Sequence, residues 1–301
     1  MDLLVVGATG VLGQQVTRRL VESGHNVRAM TRNVRASHSL SKLGAQPVIA
    51  DLIDRRSLER ACAGVDRVFA AAHGALGRGR YRSEAVDDDG HQGLIDAARA
   101  AGIARFVYTS AFGSSPDHPV DFFRTKWRIE QYLAQSGIPH VILRPSAFME
   151  WHAHVFNGKA LLEKGRALIL GRGTKKRNFV AVKDVAALAS NALLDEPLRE
   201  RVLPFGGPGD FSDNDVAAMY ARIARIPLRV SHVPVPLLAA MSVFVRPVHP
   251  GVARVMRLAS LPDDAFPATL NTDDAARDYQ IVRTSLEQFV TERVAAHQLS
   301  G

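Results

Sequence analysis

Met1-Asp-Leu-Leu-Val-Val-Gly7-Ala-Thr-Gly10-Val-Leu-Gly13 is the stretch on which the fold turns. Leu3 to Val6 form a short apolar run bounded by glycine, the pattern of a buried strand in a parallel sheet. The three glycines let the chain turn tightly and bring its backbone close to a negatively charged ligand. Gly13 also lets the following helix pack against the strand. A helix starting near Val11 would aim its free N–H groups and positive dipole end at a pyrophosphate. The stretch expected to hold a dinucleotide is therefore Gly7, Thr9, Gly10, Val11, Leu12 and Gly13. A purely structural glycine turn is the competing reading; the setting between strand and helix favours the ligand.

The rest of the chain bounds this reading. Its 301 residues suffice for one or two domains, and 47% hydrophobic with 23% charged residues is ordinary globular composition. Cys62 is the only cysteine, which excludes an intrachain disulfide and a cysteine metal cluster and suits a reducing compartment. A first strand at Leu3 leaves no room for a signal peptide. The apolar stretch from Val233 to Val245 is too short to span a bilayer and contains Pro234 and Pro236. A cytoplasmic protein with no membrane span is expected. The net charge of +8 is spread among helices, with its densest run at Arg172 to Arg177, read as a solvated loop; nucleic acid is not expected as a partner.

Strand and helix alternate regularly through the first half, the pattern of a doubly wound parallel sheet. Helices are expected near 12–23, 37–43, 84–101 and 120–135, with a short one capped by Ser57. Strands are expected at 26–31, 46–50, 66–72, 105–109 and 140–143, making six with the first. Beyond Pro145 the alternation is less regular. Strands at 167–170, 178–182, 201–205 and 228–233 interleave with helices at 184–194 and 212–225, for which Asp184 and Ser212 read as N-caps. A last helix is expected at 284–296. The fold class is α/β: a Rossmann core over 1–150 and a smaller substrate lobe over 151–301, interleaved with the core and without a clear linker.

The end of the second strand bears on the cofactor. NAD-binding folds place an acidic residue there, about 20 residues past the glycines, on the ribose hydroxyl. Here Val27 to Asn33 contains no Asp or Glu. Arg32, with help from Arg35, would pair with a 2′-phosphate, and Thr31 offers a hydroxyl. NADP(H) is therefore expected over NAD(H); an arginine at the surface end of a strand is the plainer alternative. Asp51, followed by Leu52, is placed either to reach an adenine amino group or to cap the next helix. Ala70, Ala71 and Ala72 are small enough for a cofactor to lie across them, and His73 is read as solvated.

With Gly7-Ala-Thr-Gly-Val-Leu-Gly13, Arg32, Asp51 and the phrase Leu143-Arg-Pro-Ser-Ala-Phe148 together, the chain resembles the short-chain dehydrogenase/reductases, and more narrowly their atypical, NmrA-like branch. The resemblance runs through most of the chain, including Asp278-Tyr279 to Phe289. It implies an NAD(P)-binding Rossmann fold in a branch of quinone reductases, benzylic-ether reductases and cofactor-sensing regulators.

The departure from the wider superfamily lies in its Tyr-x-x-x-Lys pair. The helix reads Asp121-Phe-Phe-Arg-Thr-Lys126, so Phe122 stands at the tyrosine position, and none of the five tyrosines has a lysine four residues later. Lys126 remains. The resemblance implies that it touches the nicotinamide ribose or serves as sole acid/base; a surface lysine paired with Glu130 is the alternative. The superfamily serine falls on Ser110 or Ala111. Thr109 is expected beside the nicotinamide, and Pro145, Ser146 and Phe148 match the stretch that packs on it.

Phe112, Phe122, Met149 and Trp151 are the residues expected nearest a substrate, and Trp151 could equally be core. His152 and His154 lack metal-site spacing, so no metal is expected. Two functions follow as expectations. One is an NADPH-dependent reductase passing hydride to a small apolar acceptor such as a quinone or enone. The other is a non-catalytic NADP(H) sensor or assembly factor, which would carry a protein partner. A nucleotide-sugar epimerase or dehydratase fits less well, because those members keep the tyrosine.

Overall fold

Seven parallel strands organise the computed structural model, which describes residues 1–196, 200–261 and 272–300. They are β1 (Asp2–Val6), β2 (Asn26–Thr31), β3 (Gln46–Ile49), β4 (Arg67–Ala70), β5 (Arg105–Thr109), β6 (His140–Pro145) and, far along the chain, β10 (Arg201–Phe205). Their order is β10-β6-β5-β4-β1-β2-β3. The first strand is central: Leu3 stands opposite Val27 on one side and Arg67 on the other. Chain direction along the sheet reverses between β1 and β4, where open α/β sheets bind ligands at the carboxyl ends of their strands.

Helices cover both faces because the central strands are apolar on both sides. The first face packs Leu3, Val5, Val107 and Leu143 against α1 (Val11–Glu22) and α7 (Val182–Leu194). The other packs Leu4, Val6, Phe106 and Tyr108 against α3 (Arg55–Cys62), α4 (Gly90–Ala100) and α5 (Asp121–Ala134). The short α2 (Val34–Lys42) follows β2. Burying Leu3, Leu4, Val5 and Val6 completely contributes about 1.5–3 kcal/mol per side chain, which fixes the strand from which the glycine turn departs.

Apart from α7, β10 and α11 (Asp273–Asp278), which join the first face, much of the second half gathers around a third apolar cluster that includes Met149, Phe179, Tyr220 and Phe289. It contains β7 (Ala147–Phe148), β8 (Ala167–Leu170), β9 (Arg177–Val180), β11 (Asp210–Phe211) and β12 (Val230–Val233), with α6 (Lys159–Lys164) and α8 (Asp213–Ala224). Then follow α9 (Val235–Val245), α10 (Pro250–Ser260), α11 (Asp273–Asp278) and α12 (Leu286–Ser300).

Several sequence expectations need correction. The main sheet has seven strands rather than six, because Arg201–Phe205 returns to pair in parallel with β6. Asp54, not Ser57, caps α3; its carboxylate accepts the Ser57 N–H. Ala181 occupies the N-cap of α7, while the buried Asp184 carboxylate accepts from the N–H and hydroxyl of Thr284. Ser212 does cap α8, in a reciprocal box with Asp215. The helix expected at 84–101 begins as a π-helix over Glu84–Asp89. Val235–Val245 is a helix, started by proline in its first turn as helices readily are.

Candidate functional site

The turn after β1 is shaped by what its glycines leave out. Gly7 has φ of +89°, and a Cβ there would stand 2.7 Å from the Ala72 nitrogen at the end of β4. A Cβ on Gly13 would meet the Gly7 carbonyl oxygen at 2.1 Å. The Gly10 N–H donates to that same oxygen at 2.9 Å, closing the turn. Helix α1 starts at Val11 with Gly10 as its cap and no acidic residue in its first turn, so the helix brings no carboxylate of its own to the dipole end. Thr9, Gly10 and Val11 are exposed, whereas Leu12 is buried and offers only backbone. This cradle fits an anionic diphosphate. Ala71, whose N–H continues the ladder to the Val6 carbonyl, and Ala72 are half-buried beside it, and Ala70 is buried beneath.

Arg32 is exposed at the end of β2, its guanidinium 4.2 Å from the centre of the Tyr81 ring. Arg80 approaches the same ring at 5.0 Å. The Tyr81 hydroxyl donates to Asp51 at 3.1 Å, and the second Asp51 oxygen accepts the Ile53 N–H. Asp51 therefore anchors Tyr81 rather than capping α3. Thr31 is buried and its hydroxyl is spent on the Asn33 backbone, which shapes the turn presenting Arg32. Leu52 is buried. Tyr81 was not legible in the sequence. The run Gly77-Arg-Gly-Arg-Tyr-Arg82 shows its basic character, but not that its aromatic ring folds back between Arg32 and Asp51.

Asp87 holds that segment in place. It is wholly buried, accepts the Gly74 N–H at 2.6 Å and accepts the Ser83 hydroxyl. It is the first of three consecutive aspartates and lies in the π-helix over Glu84–Asp89. Replacing Asp87 with alanine is expected to cost about 1.5–3 kcal/mol, the worth of hydrogen bonds to a charged acceptor. Urea unfolding of wild type and variant measures it.

Lys126 lies at the carboxyl end of β5 with 3% of its surface exposed. Its ammonium donates to the Thr109 carbonyl at 2.9 Å and sits 4.7 Å from the Tyr108 ring and 5.7 Å from the Phe122 ring. Burial draws its pKa below the ordinary lysine value, against the opposing fields of Asp87 and Glu130. The surface ion pair with Glu130 does not form. Glu130 is itself buried and is taken by Arg144 from β6 and by the Ser110 hydroxyl. Ser110 also lies 3.2 Å from the Ser114 hydroxyl. Its proton is thus committed to a buried carboxylate.

Behind the lysine, His91 shares an edge-to-face contact with Tyr108 at 5.4 Å, its Nδ1 2.9 Å from the Val86 carbonyl. Burial pushes the His91 pKa down to about 4, so the ring is neutral near pH 7. Its Nε2, the Tyr108 hydroxyl and the Thr109 hydroxyl are buried without a hydrogen-bond partner among the described residues.

The residues expected to face substrate divide. Phe122 is half-buried in the wall beside Lys126, edge-on to His73 at 6.3 Å. Phe112 is half-buried and joined to the Pro145 carbonyl through its N–H. Ser146 donates to Asn178 at 2.9 Å, and Phe148 packs against the sheet cluster. Met149 is 1% exposed inside the third apolar cluster. Trp151 is 45% exposed, so it is not core; it lies near Phe156 on a π-helix over Met149–Gly158. Among the described residues no group of three or more His, Cys, Asp or Glu could hold a metal.

Comparison with known proteins is consistent along the chain. The family model of the NmrA-like family matches residues 1–257. The NAD(P)H azoreductase of Xenophilus azovorans is 31% identical over 228 residues, covering 75% of this chain and 75% of that one. The photosystem II assembly factor Ycf39 of Guillardia theta is 28% identical over 238 residues, 79% of this chain and 75% of its own. Among solved structures, the NADPH complex of the quinone oxidoreductase QOR2 from Escherichia coli superposes with a TM-score of 0.74. It covers 97% of this chain and 99% of that one at 21% identity.

Proposed function

The chain belongs to the NmrA-like family, and from that premise we propose that it is an NADP(H)-dependent reductase of small apolar acceptors such as quinones or enones. One observation carries the reading: Lys126 is kept, buried and bonded to the Thr109 carbonyl, while a phenylalanine stands where a tyrosine would protonate a carbonyl. When bound, the reduced nicotinamide supplies the hydride. A quinone accepts hydride without a tyrosine acid, so the loss of that hydroxyl restricts the acceptor class rather than removing the reaction.

The chain's own residues supply binding, orientation and a proton. The glycine cradle and the first turn of α1 hold the diphosphate, and Arg32 pairs with the 2′-phosphate. Ala70 to Ala72, Thr109 and Pro145 to Phe148 form the bed on which the cofactor lies. Phe122 and Phe112 exclude water and orient an apolar ring. The Lys126 ammonium would hold the ribose and supply the proton. Ser110, committed to Glu130, positions that buried carboxylate and is left without a direct catalytic part. The azoreductase relative supports the reductase reading. Incubating the purified chain with NADPH and a panel of quinones and enones tests it; cofactor oxidation above background is expected, and its absence across the panel argues against turnover.

Arg32→Glu is expected to weaken NADPH binding about tenfold to hundredfold, since a charge-assisted hydrogen bond is worth about 1.5–3 kcal/mol. NADH affinity should change by less than about threefold, because it lacks the phosphate that the arginine would grip. Calorimetric titration with both cofactors measures the switch.

A second reading rests on the assembly-factor relative: the same cradle would hold NADP(H) as a sensed or structural ligand while a protein partner reads the bound state. It expects tight cofactor binding without acceptor-dependent oxidation. Nucleotide-sugar epimerisation is less well supported, because Phe122 removes the acid such chemistry uses.

A further inference from the structure

Helix α9 reads Val235-Pro-Leu-Leu-Ala-Ala-Met-Ser-Val-Phe-Val245 and carries no charge. A helix apolar on all sides is ordinarily buried in a core or in lipid, yet only Leu238 of α9 is buried. Phe244 is 81% exposed, Val248 in the following turn 74% and Val243 68%. Leu237 and Met241 are exposed as well. Eleven residues cannot cross a bilayer, and no described helix is long and apolar enough to do so.

The stretch of sequence that carries this helix is one-sided in charge. From Val216 to Leu261 the chain contains no Asp or Glu, but has arginines at 222, 225, 229, 246, 254 and 257. Arg222 pairs with Glu287 and Arg254 with Asp121, whereas Arg225, Arg229, Arg246 and Arg257 are exposed. Exposed apolar side chains with exposed arginines beside them, Arg246 two residues from both Phe244 and Val248, are complementary to a surface that is anionic outside and apolar beneath. A second copy fits poorly, because a two-fold contact through these residues would set the acid-free segment against itself.

The hairpin also touches the candidate site. A Cβ on Gly251, in the first turn of α10, would meet the Leu76 Cα at 2.5 Å. Arg254 bonds the Ala75 carbonyl and grips Asp121, the residue before Phe122. Thus α10 bridges the segment after β4 to the start of the helix bearing Phe122 and Lys126.

We propose that the α9–α10 hairpin docks on an anionic lipid surface, with Phe244 and Val248 among the acyl chains and Arg246 and Arg257 at the headgroups. Docking would bring the acceptor side of the site to a phase in which apolar quinones dissolve. That consequence rests on the reductase reading; the docking itself does not.

Flotation of the full chain with vesicles tests the proposal, using phosphatidylcholine alone and an equal mixture with phosphatidylglycerol. Binding to the mixed vesicles is expected to exceed binding to neutral ones at least about tenfold and to weaken as salt is raised. The pairs Phe244→Ser with Val248→Ser, and Arg246→Glu with Arg257→Glu, should each lower it at least about tenfold. Both pairs are exposed, and unchanged circular dichroism and NADPH binding would show that the fold and site persist. NADPH oxidation with a water-soluble quinone should be unaffected, which separates failure of docking from failure of turnover. A wild-type chain that floats with neither vesicle overturns the proposal, as does binding that ignores the Phe244 and Val248 changes. Self-association abolished by those changes, without vesicle binding, assigns these residues to a second copy instead.

Discussion

Gly13→Val is expected to abolish NADPH binding, lowering affinity at least about a hundredfold, and to destabilise the fold by about 1–3 kcal/mol through overpacking. Any Cβ at this position would stand 2.1 Å from the Gly7 oxygen and 2.9 Å from the Ala8 Cα, both fixed backbone atoms. Helix α1 would have to move off the turn, and the N–H groups of its first turn would no longer converge. Gly24→Ala is the control. Gly24 also has a positive φ, of 79°, but a Cβ there meets nothing within 4 Å. It should cost about 1 kcal/mol of backbone strain and leave NADPH affinity unchanged. Titration calorimetry and urea unfolding on both variants separate loss of the cradle from loss of stability.

Lys126→Met is expected to lower kcat/KM for quinone reduction about a hundredfold, the lower range for a positioned proton donor. Methionine nearly fills the lysine's space and removes an amine whose burial opposes its charge. Stability should therefore be retained or rise while activity falls, a combination that lost packing alone would not produce. The pH profile gives a second readout. Because burial lowers the Lys126 pKa, the proton is present below that lowered value and lost as pH rises through it. Wild-type turnover should thus fall on an alkaline limb that begins below the ordinary lysine range. In the methionine variant the limb should vanish.

What could be read from the sequence was local. The bounds of β2, β5 and the strand over Ala167–Leu170 coincide with their apolar runs, because a short buried strand is written in its own residues. The same is true of the glycine turn, whose geometry depends on residues within one helical turn and on the nearby end of β4. Lys126 was singled out by the resemblance to the short-chain dehydrogenase/reductases, which sets a lysine four residues after the tyrosine position that Phe122 fills.

Partners brought from elsewhere in the chain were not legible. Glu130 is four residues from Lys126 and invites an i, i+4 pair, yet Arg144 on the adjacent strand takes the carboxylate with better geometry. Tyr81 closes on Arg32 and Asp51 from a segment whose composition announces only a basic loop. Asp87 is buried in the π turn that opens the helix, which no charge pattern foretells. The prolines at 234 and 236 count in sequence only against a membrane span, although as the N-cap and in the first turn of α9 they help to start that helix. In this chain, then, the glycine turn is written in a short motif, whereas the surroundings of Lys126 depend on distant elements.

The most direct test of the central claim, that this chain is organised around holding NADP(H), is titration of the wild-type protein with NADPH and NADH by calorimetry. One NADPH site per chain is expected, with NADPH bound at least about tenfold more tightly than NADH, as pairing of Arg32 with a phosphate requires. No binding of either cofactor, or tighter binding of NADH, would contradict that claim.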